Sequence, residues 1–159
     1  MKRIRLEAPE IIQATCEVLS QGSVVVYPTD TLYGFGCDAT NDDAIRKINQ
    51  IKGRTAPLSV LAPDMNTALR WMKLTEDEKI MVSKKLGGAS TVIVPVFKDT
   101  VHSLITGHHN TLGIRIPNHP FCKKLSQNYG EPITTTRVNR TGASPMTDPN
   151  HIFSKFNND

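Results

Sequence analysis

Thr29, Asp30, Thr31 and Tyr33 place three hydroxyls and a carboxylate within one short stretch, and Gly34 and Gly36 follow directly. Side chains of these types can hydrogen-bond a polar ligand, and glycine lets backbone approach a ligand or another segment closely. A glycine turn between a strand and a helix explains the same residues without any ligand, so their meaning depends on what accompanies them. Lys52 and Arg54 stand at the end of a helical pattern and just beyond it. The helix dipole alone favours cations there, by about 0.3–1 kcal/mol. Phosphate binding is the alternative, since a lysine supplies a compact charge and an arginine a planar fork for polyphosphate oxygens.

Arg115 sits inside an apolar strand pattern, Gly113-Ile114-Arg115-Ile116-Pro117. Its alternation puts Leu112, Ile114 and Ile116 on one face and Arg115 on the other, where the guanidinium needs a carboxylate, a phosphate or water. Ligand contact and a structural ion pair both satisfy that need. The run Thr134-Thr135-Thr136-Arg137-Val138-Asn139-Arg140-Thr141-Gly142 repeats the character of the first cluster, a strand that ends in hydroxyls, Asn and Gly, although threonines are also good strand formers.

Several chemistries lose their usual support. The chain holds no Walker A, G-x-G-x-x-G, H-E-x-x-H or G-x-S-x-G sequence. His108 and His109 lie in a Gly- and Asn-bearing stretch without further ligands at metal-site spacing, so the reading is no metal site. Cys37 reads as a small buried thiol, and Trp71 and Met72 as core.

The elements that must position these residues alternate between strand and helix. Helical spacing covers residues 8 to 20, 42 to 52, 65 to 72, 75 to 86 and 118 to 127, with a short helical stretch after Thr147. Asn41 supplies a helix cap, and Thr75 with Glu78 a capping box. Strands are expected at 23 to 27, 58 to 62, 91 to 96, 112 to 116 and 132 to 136. That alternation predicts an α/β sheet, mainly parallel or mixed, with ligands at gathered strand ends. Asn157-Asn158-Asp159 is expected to fray.

At 159 residues, 38% hydrophobic and 21% charged, the chain has the composition of one globular domain. A formal charge of +4 suits an anionic ligand such as a nucleotide or RNA. Cys16, Cys37 and Cys122 form no C-x-x-C pair, which favours a reducing cytoplasm, and no stretch is apolar enough for a leader or a membrane span.

The residues from Pro28 to Asp38, Lys52-Gly53-Arg54, Gly113 to Pro117, His119-Pro120 and Thr134 to Gly142 together resemble the YrdC-like family of threonylcarbamoyl-AMP synthases, over nearly the whole chain and in order. The resemblance implies a single YrdC-like domain spanning residues 1 to 159, a twisted mixed sheet with flanking helices and a concave basic pocket. It implies a nucleotidyltransferase that joins L-threonine, bicarbonate and ATP, with Mg²⁺, into threonylcarbamoyl adenylate and pyrophosphate. A separate threonylcarbamoyl transferase then uses that product to modify an adenosine of tRNA. By position, Thr31 is expected to hold threonine, Thr29 and Tyr33 to shape the same wall, and Arg115 to meet the threonine carboxylate. Lys52 and Arg54 are expected on the ATP phosphates, as the catalytic cations, with Thr111, Thr135, Arg137 and Asn139 lining the pocket.

This chain departs from the family pattern in three places. Arg137-Val138-Asn139 stands where S-x-N is usual, bringing a bulky cation close to the expected nucleotide. Leu61 replaces a histidine, and the loop from Arg54 to Leu58 is short. Gly88-Ala89-Ser90-Thr91 replaces G-P-x-T, and the sequence ends at Asp159, before a serine-bearing segment that is expected to complete the ATP site. The alternative expectation is a catalytically weakened module that binds tRNA, double-stranded RNA or the ribosome through its basic charge.

Overall fold

The computed structural model describes residues 2–157. Its frame is a six-stranded sheet: β1 (Val25–Tyr27), β2 (Gly34–Gly36), β3 (Ser59–Leu61), β4 (Val92–Pro95), β5 (Thr111–Arg115) and β6 (Ile133–Arg137). The spatial order is β1-β2-β6-β3-β5-β4. Only β3 and β5 pair in parallel, and the other neighbours are antiparallel. The sheet is therefore mixed, as expected from the alternation and from the resemblance. The antiparallel pairs arise because β2 follows β1 as a hairpin partner with no helix between them, and β6 returns antiparallel between β2 and β3.

Six helices flank the sheet: α1 (Ile11–Ser20), α2 (Asp42–Lys52), α3 (Met65–Trp71), α4 (Glu76–Ser83), α5 (Pro120–Tyr129) and α6 (Pro149–Phe156). Their ends follow local chemistry. The Asn41 side chain accepts from the Ala44 amide at 3.0 Å and Asp64 from that of Thr67 at 2.7 Å, each satisfying an orphan donor of a first turn. Thr75 and Glu78 complete a capping box. Gly53 ends α2 in the left-handed region, which a side chain would resist. The helix expected to run to residue 86 stops at Ser83, and a turn at Lys84 and Lys85 follows it.

The two faces of the sheet are covered unequally. On one, Phe35, Val60, Val94, Leu112 and Ile114 pack with Ala44, Ile45 and Ile48 of α2, Ala68 of α3, and Ile152 and Phe156 of α6. Phe35 meets Phe156 edge to face at 5.1 Å, worth about 0.5–1.5 kcal/mol beyond the area buried. The other face is covered only in part. Leu19 of α1 and Leu125 of α5 pack on Ile133, and Cys122 of α5 packs with Tyr27 and Leu61. The register carries that same face on to Gly34 and Arg137 and across Ser59, Thr135, Gly113 and Arg115, which no helix covers. No helix among the described residues is long and apolar enough to cross a membrane. Of the expected fraying tail, residues 158–159 lie outside the described residues.

Candidate active site

The uncovered half of the sheet face is a cavity of about 600 Å³, bounded by two loops. The size suits a nucleotide with a small second ligand. Its floor is made of small residues. Gly34 lies opposite Arg137, and Ser59 lies between Gly113 and Thr135 in the register. A Cβ on Gly113 would come 2.4 Å from Ser59 Oγ, closer than atoms can sit, so glycine there keeps the serine hydroxyl in place on the floor.

The first wall is the loop from Thr29 to Tyr33, and Thr29 organises it. Its Oγ1 accepts from the amides of Thr31 at 3.1 Å and Leu32 at 3.3 Å and donates to the Leu32 carbonyl at 2.7 Å. The Thr29 hydroxyl is thus spent on shaping the turn. Asp30 and Arg115, 85 residues apart, pair across the end of the sheet. Asp30 also accepts from the Asn118 amide at 2.9 Å. Arg115 donates through Nε to the Gly88 carbonyl and through Nη2 to Thr31 Oγ1, both at 3.1 Å. With Nε and Nη2 engaged, its Nη1 has no hydrogen-bond partner among the described residues. The structural ion pair is therefore present, with Nη1 left uncommitted among the described residues.

The second wall is the loop from Arg137 to Gly142, held from below by Lys52. The Lys52 Nζ donates to the Arg137 carbonyl at 2.8 Å, the Asn139 carbonyl at 3.1 Å and Asn139 Oδ1 at 3.0 Å. An ammonium has three protons, and all three are used. Burial, with Arg54 and Arg137 nearby, lowers the Lys52 pKa to about 8. Lys52 is only 3% exposed, so its observed task is to shape this wall. Asn139 in turn donates through Nδ2 to the Ala143 carbonyl at 2.7 Å. Arg54 and Arg137 are exposed cations on the cavity, and among the described residues no carboxylate pairs with either.

Of the residues expected at the site, Thr29, Thr31, Tyr33, Lys52, Arg54, Arg115, Thr135, Arg137 and Asn139 line this one cavity. Thr111 does not. It starts β5, one pleat beyond Gly113, and its hydroxyl donates to the His108 carbonyl at 3.0 Å. Four hydroxyl-bearing lining residues, Ser59, Thr91, Thr136 and Thr141, are not among the expected site residues. For Ser59 the signal was a hydroxyl opening a strand beside a glycine strand. Neither cysteine near the first wall is poised as a nucleophile. Burial raises the Cys37 thiol to about 11, and burial followed by the Asp30 charge raises that of Cys122 to about 12.

Residues 17–159 match the family model Sua5_yciO_yrdC, described as telomere recombination. The chain is 31% identical over 150 residues to the threonylcarbamoyl-AMP synthase of Pseudoalteromonas translucida, covering 91% of this chain and 80% of the relative. It is 34% identical over 150 residues to the enzyme of that name from Bacillus subtilis, covering 91% of this chain but 42% of the relative. A crystal structure of P. abyssi Sua5 complexed with L-threonine superposes with a TM-score of 0.80 at 26% identity, covering 96% of this chain and 45% of that one. An open cavity with one hydroxyl-rich wall and one cationic wall, on a mixed sheet of this order, defines the class. The chain belongs to the Sua5/YciO/YrdC family.

Proposed function

We propose that this chain is a threonylcarbamoyl-AMP synthase acting as one catalytic domain, forming threonylcarbamoyl adenylate and pyrophosphate from L-threonine, bicarbonate and ATP. The observation that carries the reading is the asymmetry of the two walls. One offers hydroxyls and an arginine whose charge is already balanced by Asp30, and the other offers Arg54 and Arg137 without carboxylates. A zwitterion suits the first and a polyphosphate the second. Identity of 31% over most of both chains with a relative that carries this enzyme's name, and the threonine complex of a structural neighbour, support the same reading.

In this reading the threonine carboxylate meets the free edge of Arg115, with Thr31 beside it and Tyr33 closing the wall. The threonine amine takes up CO2 derived from bicarbonate, losing a proton to form a carbamate. A carbamate oxygen attacks the α-phosphorus of ATP, and the bond to the β-phosphate oxygen breaks as pyrophosphate leaves. Arg54 and Arg137 offset the charge on the phosphates, and Thr135 and Asn139 define the surface along which ATP lies. Lys52 holds that surface in shape. No protein nucleophile is needed, so the residues contribute positioning and electrostatic preorganisation. Among the described residues no group of three or more His, Cys, Asp or Glu could hold a metal ion. Mg²⁺ would be carried by the phosphates of ATP and would supply further charge neutralisation there.

The product passes to a separate transferase that modifies an adenosine of tRNA. We place the reaction in the cytoplasm, consistent with the unpaired thiols Cys16, Cys37 and Cys122. Direct contact with tRNA or double-stranded RNA draws support from the charge of +4 alone, and binding through it would weaken steeply with salt. The test of the enzyme is incubation with ATP labelled in the γ-phosphate, bicarbonate and Mg²⁺. Labelled pyrophosphate is expected only when L-threonine is present, and its absence at high enzyme concentration overturns the reading.

A further inference from the structure

The floor of the cavity continues past its walls. The register sets Thr135 of β6, Ser59 of β3, Gly113 of β5 and Ile93 of β4 side by side, in one row across four strands. These residues share the uncovered face of the sheet, because Val60, Leu112, Ile114 and Val94, which alternate with them, belong to the core on the other face. Alternation from Thr91 to Phe97 agrees: Val94 and Val96 are buried, whereas Thr91, Ile93, Pro95 and Phe97 are exposed.

Ile93 is 74% exposed, although the open face of an edge strand usually carries polar side chains. A lone exposed isoleucine would call for nothing. Its surroundings give it a meaning. Gly113 beside it has no side chain, and the Ser59 hydroxyl occupies the place where a Cβ of residue 113 would stand, so a flat strip of backbone opens between Ser59 and Ile93. The hydroxyls of Ser59 and Thr91, both lining the cavity beside that strip, enter no hydrogen bond among the described residues. The direction of the row also matters. Arg137 follows Thr135 on β6, at the cationic wall, and Ile93 lies three strand spacings away, about 14 Å across the floor.

The geometry points to this strip, between Ser59 and Ile93, as the shelf on which the adenine of ATP lies, with Ile93 as its apolar edge. The assignment rests on the proposed function for its ligand. ATP is a polyanion at one end and a flat base with apolar faces at the other. The cationic wall takes the first, and the row offers the second an unobstructed surface in line with it. Glycine at 113 lets the base approach the backbone, Ile93 covers one of its faces or edges, and the free hydroxyls of Ser59 and Thr91 serve the polar atoms of ribose and base. Tyr33 is the competing surface for a base, but it stands on the wall assigned to threonine.

Calorimetry of the full chain with ATP, and separately with inorganic tripolyphosphate, tests the shelf. Ile93→Ala is expected to weaken ATP about tenfold, as for loss of a few methylene contacts, and Ser59→Ala a few-fold, as for loss of one neutral hydrogen bond, with tripolyphosphate unaffected by either. Phe97→Ala, in the same exposed row but further from the cavity, should leave both ligands unchanged. Melting curves separate lost binding from lost folding, and Ile93, being exposed, can be replaced with little cost to the fold. Four results overturn the shelf: no binding of ATP by the wild-type chain; ATP affinity that Ile93→Ala leaves unchanged while Tyr33→Ala removes it; an equal loss for tripolyphosphate; or self-association, seen by sedimentation, that Ile93→Ala abolishes without touching ATP affinity. The last would give this edge to a second copy of the chain. Binding needs no turnover, so the two readings fail separately. ATP binding that depends on Ile93 in a chain without threonine-dependent pyrophosphate release leaves the shelf and removes the enzyme, and release with an ATP KM indifferent to Ile93 does the reverse.

Discussion

The two walls of the cavity are built by opposite means. The loop from Thr29 to Tyr33 shapes itself, with the Thr29 hydroxyl bonded to three backbone groups of its own turn, and then borrows one partner, Arg115, from the far strand. The loop from Arg137 to Gly142 is shaped from outside by a buried lysine of α2. The first wall pairs its cation with Asp30, whereas the second leaves Arg54 and Arg137 without acidic partners among the described residues. A self-organised, charge-balanced wall suits a small zwitterion held in one pose, and a scaffolded, unbalanced one suits a flexible polyanion. Residues of similar chemistry in sequence thus do different work according to what already occupies their donors and acceptors.

Breaking the borrowed partner should have the largest effect. On the proposed role of Arg115 as the threonine carboxylate's partner, Arg115→Ala leaves Asp30 unpaired beside the bound amino acid, and kcat/KM for threonine should fall about 100-fold or more in the pyrophosphate assay. A structural role alone would lower the melting temperature and leave the threonine KM in place. Next come the unbalanced cations. Arg54→Ala and Arg137→Ala should each raise the KM for ATP about tenfold while that for threonine moves little. An equal effect on both substrates would erase the division of labour between the walls.

How much of this was legible before the fold was known depends on the distance over which each feature is decided. Asn41, Thr75 with Glu78, and Gly53 announced helix ends because caps are local. The strand arginine and the hydroxyl cluster were visible as chemistry for the same reason. The strand Gly34–Gly36 was not seen, because two glycines around Phe35 carry no strand propensity, and only pairing with β1 and β6 makes them extended. The bond from Asp30 to Arg115 spans most of the chain. Lys52 matched a phosphate ligand by spacing, yet its protons were already committed to a loop 85 to 87 residues away. Thr111 alternated with Arg115 but lies beyond the cavity.

Smaller effects test the scaffolding itself. Thr29→Val keeps the shape and removes the hydroxyl, and should cost about 1–2 kcal/mol of stability, with a few-fold rise in the threonine KM. An unchanged denaturation midpoint would mean that the turn does not depend on it. Lys52→Met should speed hydrogen exchange at the Val138 and Thr141 amides, which bond to the Tyr33 and Lys52 carbonyls. Lys52 also gives a pH signature of defined sign. Its folded pKa, about 8, lies below the ordinary 10.5, so between these values the unfolded chain holds more protons than the folded one. The wild-type chain should therefore gain stability relative to Lys52→Met as pH rises from about 8 to 10.5. A difference that stays flat over that window would show the lysine to be as well solvated in the folded chain as in the unfolded one.

Under the proposed function, threonine and ATP occupy opposite walls of one cavity. A crystal structure with L-threonine and a non-hydrolysable ATP analogue tests it most directly. The expected result is the threonine carboxylate on Arg115 beside Thr31, and the phosphates on Arg54 and Arg137 with the three Lys52 bonds intact. Phosphates on Arg115, or threonine against the loop from Arg137 to Gly142, would contradict it.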